Sequence, residues 1–160
     1  MAAIIIKKNT NCDTRVAKGI PSFEDFKEAN INHHNEVIEA TYFLATLLYE
    51  AGRKHDTTKF THADEFYDDF CACLKNNDLR FEHMPWYDEI HIKEERHHLN
   101  SRCPEDVNLI DVIEMICDCV CAGIARSGSY RPVEISNDIL QKAVANTAQL
   151  LLDNIALEDE

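Results

Sequence analysis

His55 and Asp56 stand side by side in the stretch GRKHDTTKF, just where an amphipathic helical pattern ends. An imidazole and a carboxylate so placed can chelate one divalent cation. They can also be two polar residues of a solvated loop, and the pair alone does not decide. Further on, Asp111, Glu114 and Asp118 fall at i, i+3 and i+7 in a segment that is otherwise apolar around nearly its whole circumference. A buried carboxylate without compensation is costly or takes up a proton, so such a stripe pairs with Arg or Lys or holds a cation, unless Asp111 near the helix start faces solvent. Asp118, between Cys117 and Cys119 in the most apolar stretch, is the strongest candidate ligand of the three. His91, Glu94 or Glu95, and His98 recur at helical spacing, with His97 about 100° round from His98. Neutral imidazoles are common ligands of transition metals, and these could close a second coordination site. On a segment that also carries Lys93 and Arg96 they could equally be exposed. His34 lies one turn before Ile38 on an apolar face and is expected to point inward, as a core histidine if taken alone or as a ligand in the company of the others.

Helices must position these groups. Residues 1–20 read as an irregular arm in which AIII could form a short strand. After Pro21 and Ser22, FEDFKEAN makes a short first helix with acids in its opening turn. From Asn32 the positions Val37, Ile38, Thr41, Leu44, Ala45 and Leu48 follow the three-and-four step of a second helix ending at Gly52. Thr61 with Asp64 resembles a capping box opening a third helix, through ADEFYDDFCACLKNN. Pro85 begins a fourth, carrying WYDEIHIKEERHHLN, and Pro104 a fifth that runs to Gly128. Ser136 caps a last helix, NDILQKAVANTAQLLLDNIA. The expectation is an all-α, single-domain bundle of about six helices over residues 21–160.

Composition agrees and narrows the function. At 160 residues the chain suits one core, and 45% hydrophobic content with four glycines and four prolines favours compact helices. Twenty-nine acidic against 16 basic side chains, a net charge of -13, repel nucleic acid and anionic membranes while supplying oxygen ligands for cations. Most of those acids form a solvated surface. The seven cysteines are odd in number and five lie in C-x-C steps, which suit neither a zinc knuckle nor a disulfide framework; they read as reduced, buried, small hydrophobes of a cytoplasmic protein. The opening MAAIIIKKNT has no leader pattern, and no run is long enough for a membrane span. Phosphate-loop, dinucleotide and nucleophile-elbow glycine signatures are missing. A cysteine nucleophile such as Cys117 or Cys121 is disfavoured in an apolar helix, where the thiol pKa rises.

One histidine, then His-Asp, then an aspartate in a later helix is an order that resembles the HD-domain superfamily of metal-dependent phosphohydrolases. The resemblance covers residues 32–126: HDTTKF looks like the HD-x-x-K signature, and EMICDCV like the closing segment that supplies the last aspartate. More narrowly, HDTTKF, a Trp-and-His helix ending RHH, and EM-x-x-D are together similar to small proteins of phages and bacteria. The resemblance implies an HD-like fold with His34, His55, Asp56 and Asp118 as first-metal ligands, His33 being the rival for the first position. It makes Lys59 the signature lysine, able to meet a substrate phosphate or to hold an acidic neighbour, and His97 and His98 the pair that holds a further metal. The GYP segment of cyclic-dinucleotide hydrolases is missing here, which argues against that activity.

The function expected on these grounds is hydrolysis of a small phosphorylated molecule, a nucleotide or nucleoside monophosphate. It would use one or two divalent ions (Mn, Fe, Co, Ni or Zn), with Asp56 as ligand and Glu114 or Glu65 as proton acceptor. Arg126 and Arg131 are basic groups near the end of the fifth helix that read first as solvated surface, although they could meet a phosphate. No nucleic-acid polymer or membrane partner is expected, and a homodimer is one option for the oligomeric state. The rivals are an HD-fold di-iron oxygenase and a non-catalytic metal-containing protein of a phage acting on a host partner.

Overall fold

No glycine or proline lies between Phe23 and Ala51, and nothing there stops a helix once it has begun. Ser22 starts it, its hydroxyl accepting from the backbone N–H of Asp25 at 3.1 Å. In the computed structural model, which describes residues 4–8, 12, 17–78, 80, 83–130 and 132–158, the two expected N-terminal helices are therefore one, α1 (Phe23–Lys54). Asn30, at the expected break, donates its side-chain amide to the carbonyl of Phe26 at 2.6 Å and stays within the helix. Gly52 does not end α1 either. The left-handed residue that turns the chain is Asp56, at φ 56°, a conformation that Asp tolerates better than most residues.

Two short steps follow. α2 (Thr58–Thr61) and α3 (Ala63–Lys75) are separated only by His62, so Thr61 closes α2 where a cap of α3 was expected. The helix begun at Pro85 passes through a π-helical turn, Tyr87–His91, into α4 (Ile92–Glu94), and Glu95 then takes extended backbone at φ -89°, ψ 112°. π-turns of this kind concentrate at functional sites. His97 and His98 consequently lie in a turn beyond the helix expected to carry them.

α5 (Leu109–Ser127) begins later than Pro104. Asn108 caps it in a full capping box with Asp111, and Gly128 ends it at φ 70°, as the sequence predicts. Gly123 is required by a close approach, since a Cβ there would lie 3.0 Å from the Ser129 carbonyl oxygen and the Tyr130 Cα. α6 (Asn137–Leu152) starts at the expected Ser136, whose hydroxyl accepts from the N–H of Ile139 at 3.2 Å. It stops four residues short of the expectation, and Ile155–Glu158 form a strand, β2, parallel to β1 (Ile4–Lys7). The protein is thus predominantly helical with one small parallel ribbon, where an all-α chain was expected.

The chain divides into two compact units. The first comprises Met1–Leu47 and Ala148–Glu160. There Ile4 pairs with Ile155 and Lys7 with Glu158, and the N–H of Lys7 donates to Glu36 on α1 at 2.9 Å. The second, Leu48–Thr147, has a core of Leu99, Val107, Val112, Met115 and Ala143. Thr147 of α6 accepts from the N–H of Leu109 at 2.8 Å, and Asn146 donates to the Val107 carbonyl at 2.8 Å, so α6 fixes the start of α5.

Burial departs from the sequence pattern in two places. α5 buries one side only, Ile110, Asp111, Val112 and Met115, while Ile113, Ile116 and Ile124 are exposed. An apolar circumference permits burial on every side but does not supply neighbours for it. Cys117, Cys119 and Cys121 are exposed with that outer face, whereas Cys12 and Cys73 are buried; all seven cysteines are free. Among the described residues no helix is long and apolar enough to cross a membrane.

Candidate metal centre

The left-handed turn after α1 places Asp56 and His55 at one point in the second unit. The π-turn and the irregular stretch after α4 bring His91, His97 and His98 to it, and α5 brings Asp118. Ligand-capable atoms of Asp56, His91, His97 and His98 all lie within 4.8 Å of one another, and so do those of His55, His97 and Asp118. Around Asp56, Oδ1 is 3.5 Å from His91 Nε2 and 3.7 Å from His97 Nε2, and Oδ2 is 3.4 Å from His55 Nε2. His98 Nε2 meets His91 Nε2 at 2.8 Å, and His55 Nε2 is 3.6 Å from Asp118 Oδ1.

Three atoms of this group are buried without a hydrogen-bond partner: Asp56 Oδ1 and both ring nitrogens of His97. His97 Nδ1 comes within 3.1 Å of Glu114 Oε1 but off the hydrogen-bond axis. Orphaned polar atoms in a protein interior are costly unless something satisfies them, and here they face other nitrogen and carboxylate donors. The residues fit a divalent cation: nitrogen and oxygen donors converge from separate elements, with imidazoles in excess of carboxylates.

A layer of partners orients the donors. Glu114, which the sequence suggests as a proton acceptor, sits between two imidazoles, accepting from His55 Nδ1 at 3.0 Å and facing His97 Nδ1. Its bond to His55 turns that ring's Nε2 toward Asp56, the role that outer carboxylates play around metal-ligating histidines. Lys59 Nζ pairs with Asp56 Oδ2. Asp111 is buried, and it answers the acid-stripe question without a cation: Arg96 binds it through Nε–Oδ1 and Nη2–Oδ2, both at 2.8 Å. Arg96 precedes His97, so this pair ties the histidine turn to the head of α5. The single tryptophan, Trp86, is buried between Phe66 and His91, with ring centroids 4.3 and 4.7 Å away.

Charge follows from this packing. Burial, with the His98 charge next, lowers His91 to about 3; burial and His97 lower His98 to about 4. Burial alone would lower His97 too, but Glu114, Asp56 and Asp118 outweigh it and raise the ring. Asp56 and Glu114 are pushed up by burial, yet Lys59 for the first and His97 and His55 for the second leave both below the ordinary carboxylate range. For His91 and His98 the unfolded chain binds the proton more readily than the folded one, so stability is lost as pH falls from about 6.5 toward about 4. The lowered carboxylates add loss in the same direction further into acid, and the raised His97 opposes it. The expected result is a urea midpoint of the metal-free protein that falls steadily between pH 6.5 and 4.5. A flat profile over that window would contradict the neutral pair.

Of the sequence candidates, His55, Asp56, His91, His97, His98 and Asp118 come together, with Lys59 and Glu114 against them. His34 belongs to the first unit. It is exposed on α1, as is His33, and it lines an apolar groove of the first unit with Phe23, Phe26 and Ile31. The expectation that it points inward is corrected, because this face of α1 has no fully buried residue. Glu65 is exposed beside His62, 3.7 Å away, and Arg126 is exposed; Arg131 lies outside the described residues. Sequence reasoning missed Thr58, Arg96 and Trp86 as supporting groups. Arg96 precedes the candidate ligand His97, and Thr58 follows Asp56 by two positions, which is the signal that could have found them. Comparison with curated proteins and with solved structures gives no match. Residues 22–156 match the family of unknown function DUF5662, and the chain belongs to that family.

Proposed function

We propose that this protein is a metal-dependent phosphohydrolase acting on a small phosphorylated substrate, a nucleotide or nucleoside monophosphate. One observation carries the reading: His55-Asp56, three histidines from the segment 91–98, and Asp118 meet around orphaned buried donor atoms. The order of these residues supports it through the resemblance to HD-domain phosphohydrolases, with the exposed His34 as the departure. A divalent cation held there would supply Lewis acidity and lower the pKa of a water. The chain's own groups divide the remaining work by exposure. His91 and His97 side chains are 2% exposed and form the closed back of the site, while His55, Lys59 and Asp118 are 25%, 29% and 31% exposed and form its open rim. A phosphoryl group entering over that rim meets the Lys59 ammonium. Glu114, engaged by two imidazoles, serves as an orienting group. The acidic surface favours a small substrate over a polymer.

Four imidazoles also favour a second reading, an iron pair reacting with oxygen. The test is metal analysis of the purified protein followed by phosphate release from a panel of nucleotides, with Mn, Fe, Co, Ni or Zn restored after chelation. Metal-dependent phosphate release is expected, abolished by chelator. Oxygen uptake by the iron form without phosphate release would select the second reading, and metal without either reaction would leave a binding protein and end the hydrolase proposal.

A further inference from the structure

The back of the centre contains a hydrogen-bond relay whose direction is fixed by its chemistry. Thr58 is 2% exposed and Glu95 is 8% exposed. Thr58 Oγ1 lies 2.8 Å from Glu95 Oε1 and 2.7 Å from His91 Nδ1, and the backbone N–H of Thr58 donates to the same Glu95 oxygen at 2.9 Å. A carboxylate only accepts, so the single hydroxyl proton of Thr58 goes to Glu95. The hydroxyl oxygen is then left as the acceptor for His91, which must carry its proton on Nδ1. The lone pair of His91 therefore sits on Nε2, the atom that faces Asp56 Oδ1 and His98 Nε2.

We infer that Thr58 and Glu95 are positioning residues of the metal centre: the carboxylate orients the threonine hydroxyl, which holds His91 in the tautomer that offers Nε2 to a cation. This rests on the metal-site reading above. Glu95 has a second part in the arrangement. It is the residue at which the chain leaves α4 for extended backbone, so the bonds that fix Thr58 also anchor the departure of the turn carrying His97 and His98.

Thr58→Val is the test, because it removes the hydroxyl at nearly constant volume and keeps the backbone N–H. Thr58→Ser restores the hydroxyl. The tautomer is read in the metal-free protein by long-range nitrogen–proton NMR of the imidazoles, and affinity by titration with Co(II) alone, followed through its visible absorption. The expected result is Nδ1–H His91 in the natural protein and in Thr58→Ser, and a mixed or Nε2–H ring in Thr58→Val. Co(II) affinity should fall about 10–100-fold in Thr58→Val, the usual effect of losing an outer partner, and recover in Thr58→Ser. An unchanged tautomer in Thr58→Val overturns the relay even if affinity drops through general loosening. Failure of the natural protein to bind Co(II) would instead overturn the metal-site reading, and the NMR result would still decide the relay.

Discussion

On the proposed function, Asp56→Asn is expected to strip the protein of metal and of phosphate release while leaving its helices in place. Asp56 contributes to the centre in two ways that this substitution separates. Its carboxylate faces three imidazoles, with Oδ1 buried and without a hydrogen-bond partner. Its backbone turns the chain out of α1 at φ 56°. Asparagine accepts that left-handed conformation nearly as readily as aspartate, whereas alanine there would add about 1–2 kcal/mol of backbone strain. Loss of the charge is a different matter. Removing an outer partner of a metal ligand costs about 10–100-fold in affinity, so removing a ligand from the middle of the set should exceed 100-fold. Lys59 loses its counter-ion, but at 29% side-chain exposure it can turn to water, which limits damage to the fold. Trp86 gives a direct optical readout. It stacks on His91, so binding of a cation to that ring should change its emission in the natural protein and leave it unchanged in Asp56→Asn. Full metal content and full turnover in the variant would refute the role assigned to Asp56.

How much of this was legible beforehand depends on whether local chemistry or a distant partner decides the residue. The six convergent donors were readable because His-Asp adjacency, helical spacing and an acid among apolar residues are local patterns. Asp118 was picked out by its neighbours alone. The start of α6 at Ser136 and the end of α5 at Gly128 were readable for the same reason, since caps are short-range signals. His34 was misplaced because periodicity identifies an apolar face but not what covers it. The same limit hid the exposure of Cys117, Cys119 and Cys121 on α5. β2 escaped because Ile155–Glu158 continue an apolar pattern, and a parallel partner 151 positions away, Ile4 for Ile155, leaves no local mark. The break after Glu94 was likewise invisible. It coincides with side-chain bonds from Glu95 to Thr58, two groups with nothing in their separate sequence surroundings to show that they meet.

Asp111→Ala tests whether the same turn depends on its tie to α5. The aspartate is 5% exposed and carries several bonds: two from Arg96 at 2.8 Å and one from the backbone N–H of Asn108 at 3.0 Å, completing the capping box. Removing one partner of a buried pair typically costs about 3–5 kcal/mol. Here Arg96 is 42% exposed and also holds Asp106 at 3.0 Å, so water and a second carboxylate relieve it. With that discount the pair contributes about 1–2 kcal/mol, and the capping interaction adds about 1 kcal/mol. A loss of about 2–3 kcal/mol in urea unfolding is therefore expected. The consequence for function follows from chain continuity. Arg96 is the residue before His97, and once released it no longer fixes the turn that presents His97 and His98. Metal affinity should then fall even though Asp111 touches no donor of the centre, while Asp106→Ala, which removes only the exposed partner, should change stability by less than about 1 kcal/mol and leave the affinity as it was. Equal effects from the two variants would show that Arg96 anchors nothing through Asp111.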